Sequence, residues 1–273
     1  MQTEVRSAGP WLFFCAGMRR GGSTLQAQLV SALLDDARIE AISAESFREM
    51  MSDRVNIRTP VVCKCHEFLP ELARLQAEDI ACVFYVYRDI RDVVASISKK
   101  YSIPAFSFIH GGVLPILDEF EQWSGVPGAY IGCYESMLAD LPAEVRKLGA
   151  HMGMSIDDAR AKKIAAEFSL DRQRARIGSA FADPAATGGL GLNAYDDRTL
   201  LHRNHIQSGG SGAFRRVLSW HEIAALEWVT RDWMSRTGYR PEYSALVQAL
   251  AYGWFAFRAA LHKARVRVSG SQA

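Results

Sequence analysis

Hydrophobic positions along the chain alternate between short unbroken runs and longer stretches where they recur every three or four residues. The runs at Trp11 to Ala16, Pro60 to Cys65, Ile80 to Tyr87 and Ala129 to Cys133 predict strands buried on both faces, with a weaker candidate at Ile39 to Ile42. Helical spacing over Ser23 to Asp36, Phe68 to Glu78, Asp89 to Tyr101, Val113 to Trp123 and Pro142 to Met154 predicts the segments between them. This alternation predicts an α/β fold, a parallel β-sheet flanked by helices. From Ser155 onward the pattern is mostly helical. Within it Gly178 to Asp197, rich in glycine, alanine and aspartate, predicts a long mobile loop of the kind that forms lids. The simplest organisation is one domain over residues 1–273. It has a core sheet at about 9–155, a helical part at about 156–242 and an apolar C-terminal helix at about 243–267.

Composition narrows the picture only a little. A chain of 273 residues buries a substantial core, and 49% hydrophobic with 23% charged residues is ordinary for a soluble protein. A net charge of +2 gives no case for general nucleic-acid binding, so any basic function is local. Met1 to Pro10 is polar and the apolar run after it is too short for a signal-peptide core, which predicts a cytoplasmic protein. The five cysteines, Cys15, Cys63, Cys65, Cys82 and Cys133, are odd in number and sit mostly in strand-like runs, as expected of reduced, buried thiols.

Three motifs carry chemistry, and all fall where predicted strands end. The first is Gly17-Met18-Arg19-Arg20-Gly21-Gly22-Ser23-Thr24, between a strand and a helix start. Backbone N–H groups and the positive end of a helix converge there on an anion. Gly17, four residues and Gly22 give nearly the spacing of a P-loop. Ser23 stands where the P-loop lysine belongs, and the cations are Arg19 and Arg20 inside the loop. A loop without that lysine suits an anion other than a nucleoside triphosphate.

The second motif is Arg88 with Ser96 eight residues on, a guanidinium fork and a hydroxyl suited to a terminal phosphate. The same residues also read as a helix start with acidic N-terminal positions and a solvated charge run. The third is Cys63-Lys64-Cys65-His66-Glu67. The period of two in a strand sends Lys64 and His66 to the same side, where a histidine takes a proton and a lysine steadies negative charge. The plain alternative is a polar pair at a strand end. Zinc is a poor fit to Cys-x-Cys-x-His, because strand spacing and the lack of a second ligand cluster oppose it.

In this order and spacing the motifs resemble the sulfotransferases that use 3′-phosphoadenosine 5′-phosphosulfate (PAPS) and release 3′-phosphoadenosine 5′-phosphate (PAP). The resemblance covers most of the chain and implies a P-loop NTPase-like α/β fold with a mostly helical C-terminal part. It implies that Arg19, Arg20, Gly21, Gly22, Ser23 and Thr24 surround the 5′-phosphosulfate, and that Arg88 and Ser96 hold the 3′-phosphate. It further implies that His66 is the catalytic base, with Lys64 and Arg20 stabilising charge. Cys133-Tyr134-Glu135-Ser136-Met137 is similar to the segment whose tyrosine lies near adenine. Asn204 to Arg215 resembles the late glycine loop over the cofactor, assigning Gly209, Gly212, Phe214 and Arg215 to it. The helix at Trp228 to Tyr239 fits the same scheme.

This chain departs from the family pattern at several points. Arg19 replaces a common proline and Gly21 a serine. Gln207-Ser208-Gly209 stands where cytosolic members have Arg-Lys-Gly, so Arg215 and Arg216 are the candidate substitutes. Phe214 replaces a tryptophan and still permits stacking on adenine. Glu67 is the fallback base. The implied reaction moves a sulfonyl group from PAPS to an acceptor hydroxyl with no metal, and the acceptor is a lipid, carbohydrate or small metabolite. A P-loop kinase of a small metabolite and a non-catalytic PAP-binding protein are the competing readings. The apolar stretch Tyr243 to His262, followed by Lys263, Arg265 and Arg267, is too short to span a bilayer. It reads as a helix packed on the core or on a second subunit, as in a homodimer, or as a peripheral membrane helix at the cytoplasmic face.

Overall fold

In the computed structural model, which describes residues 9–53, 59–181, 196, 199–201 and 210–270, five strands form. They are β1 (Leu12–Gly17), β2 (Ile39–Ala41), β3 (Val61–Lys64), β4 (Ala81–Tyr87) and β5 (Tyr130–Cys133). Every pairing is parallel, in the order β2-β3-β1-β4-β5. The helices are α1 (Ser23–Leu33), α2 (Ala44–Asp53), α3 (Glu71–Ala77), α4 (Ile90–Tyr101), α5 (Leu114–Ser124), α6 (Tyr134–Ala139), α7 (Leu141–His151), α8 (Asp158–Glu167), α9 (Leu170–Ala180), α10 (Phe214–Val217), α11 (Trp220–Thr237) and α12 (Ala245–Gly270). A wide helical turn occupies Phe108–Gly112. The chain divides into two compact units, Met1–Arg88 with Glu119–Gly210, and Asp89–Asp118 with Ser211–Ala273.

The first unit holds the sheet. Its central strands are buried on both sides, which is why β1 and β4 read as continuous apolar runs rather than alternating ones. On one face Phe13, Cys15, Phe84 and Val86 pack with Val30 and Leu33 of α1, Val145 and Leu148 of α7, and Ile164 of α8. On the other face lies an aromatic cluster. The Phe14 ring meets Phe47 of α2 edge-on at 5.5 Å and Trp123 of α5 stacked at 5.7 Å, and Trp123 also stacks on Tyr85 at 5.8 Å. This is the predicted sheet with helices on both faces.

The second unit is helical. Ser219 and Glu222 close a capping box at the start of α11, and Gly238 ends that helix in the left-handed conformation at φ 80°. Inside the unit Arg91 is buried between Asp89 at 2.7 Å and Glu227 at 2.5 Å. A buried guanidinium is tolerated only with such partners. Glu227 in turn accepts from the Glu242 and Tyr243 N–H groups, which fixes the chain between α11 and α12.

The structure adds elements that hydrophobic spacing did not predict. Helix α2 (AESFREMMSD) is polar on most sides, and its Ala44 N–H is capped across 23 positions by the Glu67 carboxylate at 2.8 Å. Residues 178–180 finish α9, whereas 182–195 and 197 of the expected lid lie outside the described residues. Helix α12 runs to Gly270.

Trp123 is fully buried and joins three rings of one face. Trp123→Ala is expected to lower unfolding free energy by about 3–5 kcal/mol, read from urea denaturation. A loss under about 1 kcal/mol would show that this face does not depend on the cluster.

Candidate active site

The strand order turns around at β1, whose neighbours β3 and β4 lead the sheet outward in opposite directions. Ligands of open parallel sheets gather at the carboxyl end of such a point. The segments that follow β1, β3 and β4 there are the glycine loop, the Lys64–His66 segment and Arg88.

Backbone geometry explains the glycines of the loop. Gly22 has φ 98°, and a Cβ there would lie 2.4 Å from the Tyr134 ring. At Gly17 a Cβ would lie 2.7 Å from the Val86 carbonyl oxygen, so the loop leaves β1 pressed against β4. Arg20 also takes a left-handed conformation, at φ 64°. The Gly21 N–H closes a turn on the Met18 carbonyl at 2.7 Å. Gly22 then serves as the N-cap of α1 with no side chain of its own, and the first turn carries no acidic residue. The first N–H groups of a helix have no partner within it, so this end presents donors and positive potential. Ser23 and Thr24 are buried in that first turn, while Arg19 is exposed.

His66 is tied directly to this loop. Its Nδ1 lies 2.9 Å from the Gly17 carbonyl oxygen and its Nε2 lies 3.1 Å from Lys64 Nζ. A carbonyl only accepts, so Nδ1 carries the proton and Nε2 keeps its lone pair. Burial, with the Lys64 ammonium and then the loop arginines, lowers the His66 pKa to about 3 despite the Gly17 bond. Burial likewise lowers Lys64 to about 8, with Arg19 adding to the effect and Cys65 and Cys15 opposing it. The apparatus is therefore short of negative charge. Glu67 is committed elsewhere through its bond to Ala44 N–H. Glu119 is raised by burial and by Glu67, and lowered by Arg19, which places it in the same electrostatic neighbourhood.

Arg88 follows β4 and reaches back to the loop. Its Nη1 donates to the Arg20 carbonyl at 3.3 Å and its Nη2 to the Gly210 carbonyl at 2.8 Å, while the guanidinium lies 4.5 Å over the Tyr134 ring. Arg20, Gly22, Arg88 and Tyr134 thus form one cluster within the first unit. Ser96 is on α4 of the second unit, half-buried. Gly209 lies outside the described residues.

Gly212 and Phe214 are held in the second unit by Asp92, whose carboxylate accepts their N–H groups at 2.8 and 2.9 Å. The Phe214 ring is 1% exposed, with the Arg91 and Arg215 guanidinium groups over it at 4.4 and 4.7 Å. Arg215 is paired with Glu242. A stacking role for Phe214 therefore requires Arg215 to move off the ring. Sequence reasoning missed Asp92 and Glu227. Asp92 lies within the quoted Arg88 to Ser96 stretch, but the loop it holds is 120 positions away. No disulfide joins the cysteines, and four of the five are buried, as expected, while Cys133 is half-buried; burial raises Cys15 and pushes Cys82 up to about 12. Among the described residues no group of three or more His, Cys, Asp or Glu side chains is placed to hold a metal ion.

No protein-family model and no curated protein sequence matches the chain. Solved structures do match. Retinol dehydratase in complex with retinol and PAP superposes with a TM-score of 0.58 at 15% identity, covering 86% of this chain and 83% of that one. The same enzyme with androsterone and inactive cofactor PAP gives 0.59, 15%, 86% and 83%. Mouse sulfotransferase SULT7A1 complexed with PAP gives 0.54 at 13% identity, with 89% and 88% covered. The chain has the sulfotransferase fold. At such low identity the fold is what these proteins share with it.

The His66 shift has a consequence for stability. Its folded pKa of about 3 lies below the ordinary value of 6.5, so the fold favours neutral imidazole. That contribution is complete above pH 6.5 and is lost as pH falls toward 3. Between pH 7 and 5 the wild type is expected to lose roughly 1–2 kcal/mol that a His66→Gln variant keeps, in paired urea titrations. Identical pH slopes for the two proteins would refute the half-buried, neutral His66.

Proposed function

We propose that this chain transfers a sulfonyl group from PAPS to the hydroxyl of a small-molecule acceptor. The observation that supports this most directly is the Lys64–His66–Gly17 chain of contacts, which sets a neutral imidazole and an ammonium at the rim of an anion cradle. The residues fit such a donor on two counts. The cradle at Gly22 exists only without a Cβ, and the groups around it are donor-rich: Arg20, Ser23, Thr24, Lys64 and the α1 N-terminus.

PAPS supplies a sulfonyl group on a good leaving phosphate. In our reading Arg20, Gly21, Gly22, Ser23 and Thr24 bind its 5′ end, with Arg19 at the loop's exposed edge, and Tyr134 flanks the adenine. Arg88 binds the 3′-phosphate. The parts given to Ser96, Gly209, Gly212, Phe214 and Arg215 rest on sequence resemblance. His66 Nε2 takes the acceptor proton as the acceptor oxygen bonds to sulfur. The sulfur–oxygen bond to the 5′-phosphate breaks, and its electron pair leaves with PAP. Lys64 and Arg20 stabilise that charge, so catalysis is mainly positioning and fixed electrostatics. The cap formed by Glu67 on α2 favours His66 as the base. Retinol and androsterone, bound in the structural neighbours, are the first acceptors to try.

His66→Ala is expected to lower kcat about 10²–10⁴-fold while PAP affinity stays within about threefold. Turnover near that of the wild type would remove His66 as the base. Arg88→Ala is expected to weaken PAP and PAPS alike by about 10–100-fold in calorimetric titration, and unchanged affinity would overturn the phosphate assignment. PAP binding should also raise the Lys64 pKa from about 8. At pH 8 that means uptake of up to about half a proton, measured by calorimetry in buffers of different ionisation enthalpy. Zero uptake would place the anion away from Lys64.

A further inference from the structure

Among the described residues, every prominently exposed large apolar side chain belongs to the second unit. Five of them, Leu246, Leu250, Trp254, Phe257 and Leu261, lie on α12 at intervals of four, four, three and four. At 100° per residue they fall within an arc of about 80° and form a stripe about 22 Å long. They are 70%, 67%, 53%, 56% and 43% exposed. Gln248 and Ala251 of the same helix are buried, Gln248 through its bond to Glu227 of α11, so α12 is anchored on one side and open on the other.

Charge decides what suits the open side. From Tyr243 to the C-terminus there is no acidic residue, while Arg258, Lys263, Arg265 and Arg267 are present. A second copy laid parallel along the stripe would set these cations against each other. Laid antiparallel, it would set them against the uncharged run Ala245 to Phe257. Neither arrangement pairs the charges. An anionic lipid surface complements both features at once, because acyl chains receive the apolar stripe and headgroups receive the cations. Phe255, about 100° beyond the edge of that arc, faces the fold instead: its ring lies 6.5 Å from His110. Among the described residues no helix is long and apolar enough to cross a membrane. We infer that α12 docks the protein onto an anionic bilayer surface, lying in the plane of the headgroups.

Sedimentation of the full-length protein with vesicles of phosphatidylcholine alone, and of phosphatidylcholine with one-third phosphatidylglycerol, tests this. Binding is expected to the anionic vesicles and to fall as salt rises. Trp254→Glu with Phe257→Glu should weaken it by roughly tenfold or more, and Arg258→Gln by about fivefold. Circular dichroism checks the fold of each variant. If the double variant does not fold, Leu250→Gln at an exposed position carries the same comparison. Absence of binding to anionic vesicles, equal binding to neutral ones, or wild-type binding by the folded variants would overturn the inference. So would a dimer in sedimentation equilibrium that these substitutions dissociate, since the stripe would then belong to a second copy.

Discussion

The carbonyl oxygen of Gly17 is the point on which the rest of the site depends. It ends the central strand, belongs to the residue that must lack a side chain to pass Val86, and accepts from His66 Nδ1. One backbone atom therefore fixes where the glycine loop begins and which imidazole nitrogen stays basic. Because β1 pairs with both β3 and β4, neither flank of the loop can shift without disturbing the register of the sheet. The site inherits its precision from that register, at a place where strands rather than long loops set the coordinates.

A second constraint operates through buried carboxylates. Asp89 and Glu227 surround Arg91, and Asp92 holds the 212–214 backbone. Each of these acids accepts from backbone N–H groups, from a guanidinium, or from both. Buried charge of this kind contributes little net stability but penalises any rearrangement that leaves one partner alone. In this protein the effect is to hold irregular segments, the 212–214 turn and the chain after α11, where apolar packing is sparse.

The five strands and most of the helices were legible because burial on two faces and helical periodicity are local signals. The central strand and β4 were found to within a residue or two, since their runs of Phe, Val and Tyr have no other stable placement. Helix α2 was not legible. Its apolar residues are few, and the carboxylate that caps it comes from Glu67, beyond the next strand. The juxtaposition of Lys64 and His66 followed from the period of a strand; the strand itself stops at Lys64, but the Cys65 N–H still bonds the Cys15 carbonyl at 3.3 Å and the Gly17 contact holds His66 alongside. The partners of Asp92 and Arg88 were invisible because they join positions 68 to 122 apart. The first half of the Asn204 to Arg215 motif lies outside the described residues.

The electrostatics of the site turn on an imbalance. Burial keeps His66 neutral, Lys64, Arg19 and Arg20 add to that effect, and burial lowers Lys64 itself to about 8. A protein does not gather positive groups around a buried imidazole for stability, since each one raises the cost of the others. In the proposed reaction the anionic donor makes the arrangement favourable: its charge raises the proton affinity of Lys64 and offsets the repulsion of Lys64, Arg19 and Arg20 on an imidazolium. On that proposal the donor's charge also strengthens His66 as a proton acceptor, while burial remains the largest cause of its low pKa. Binding and base strength would then be coupled in part through the Lys64–His66 pair, 3.1 Å apart.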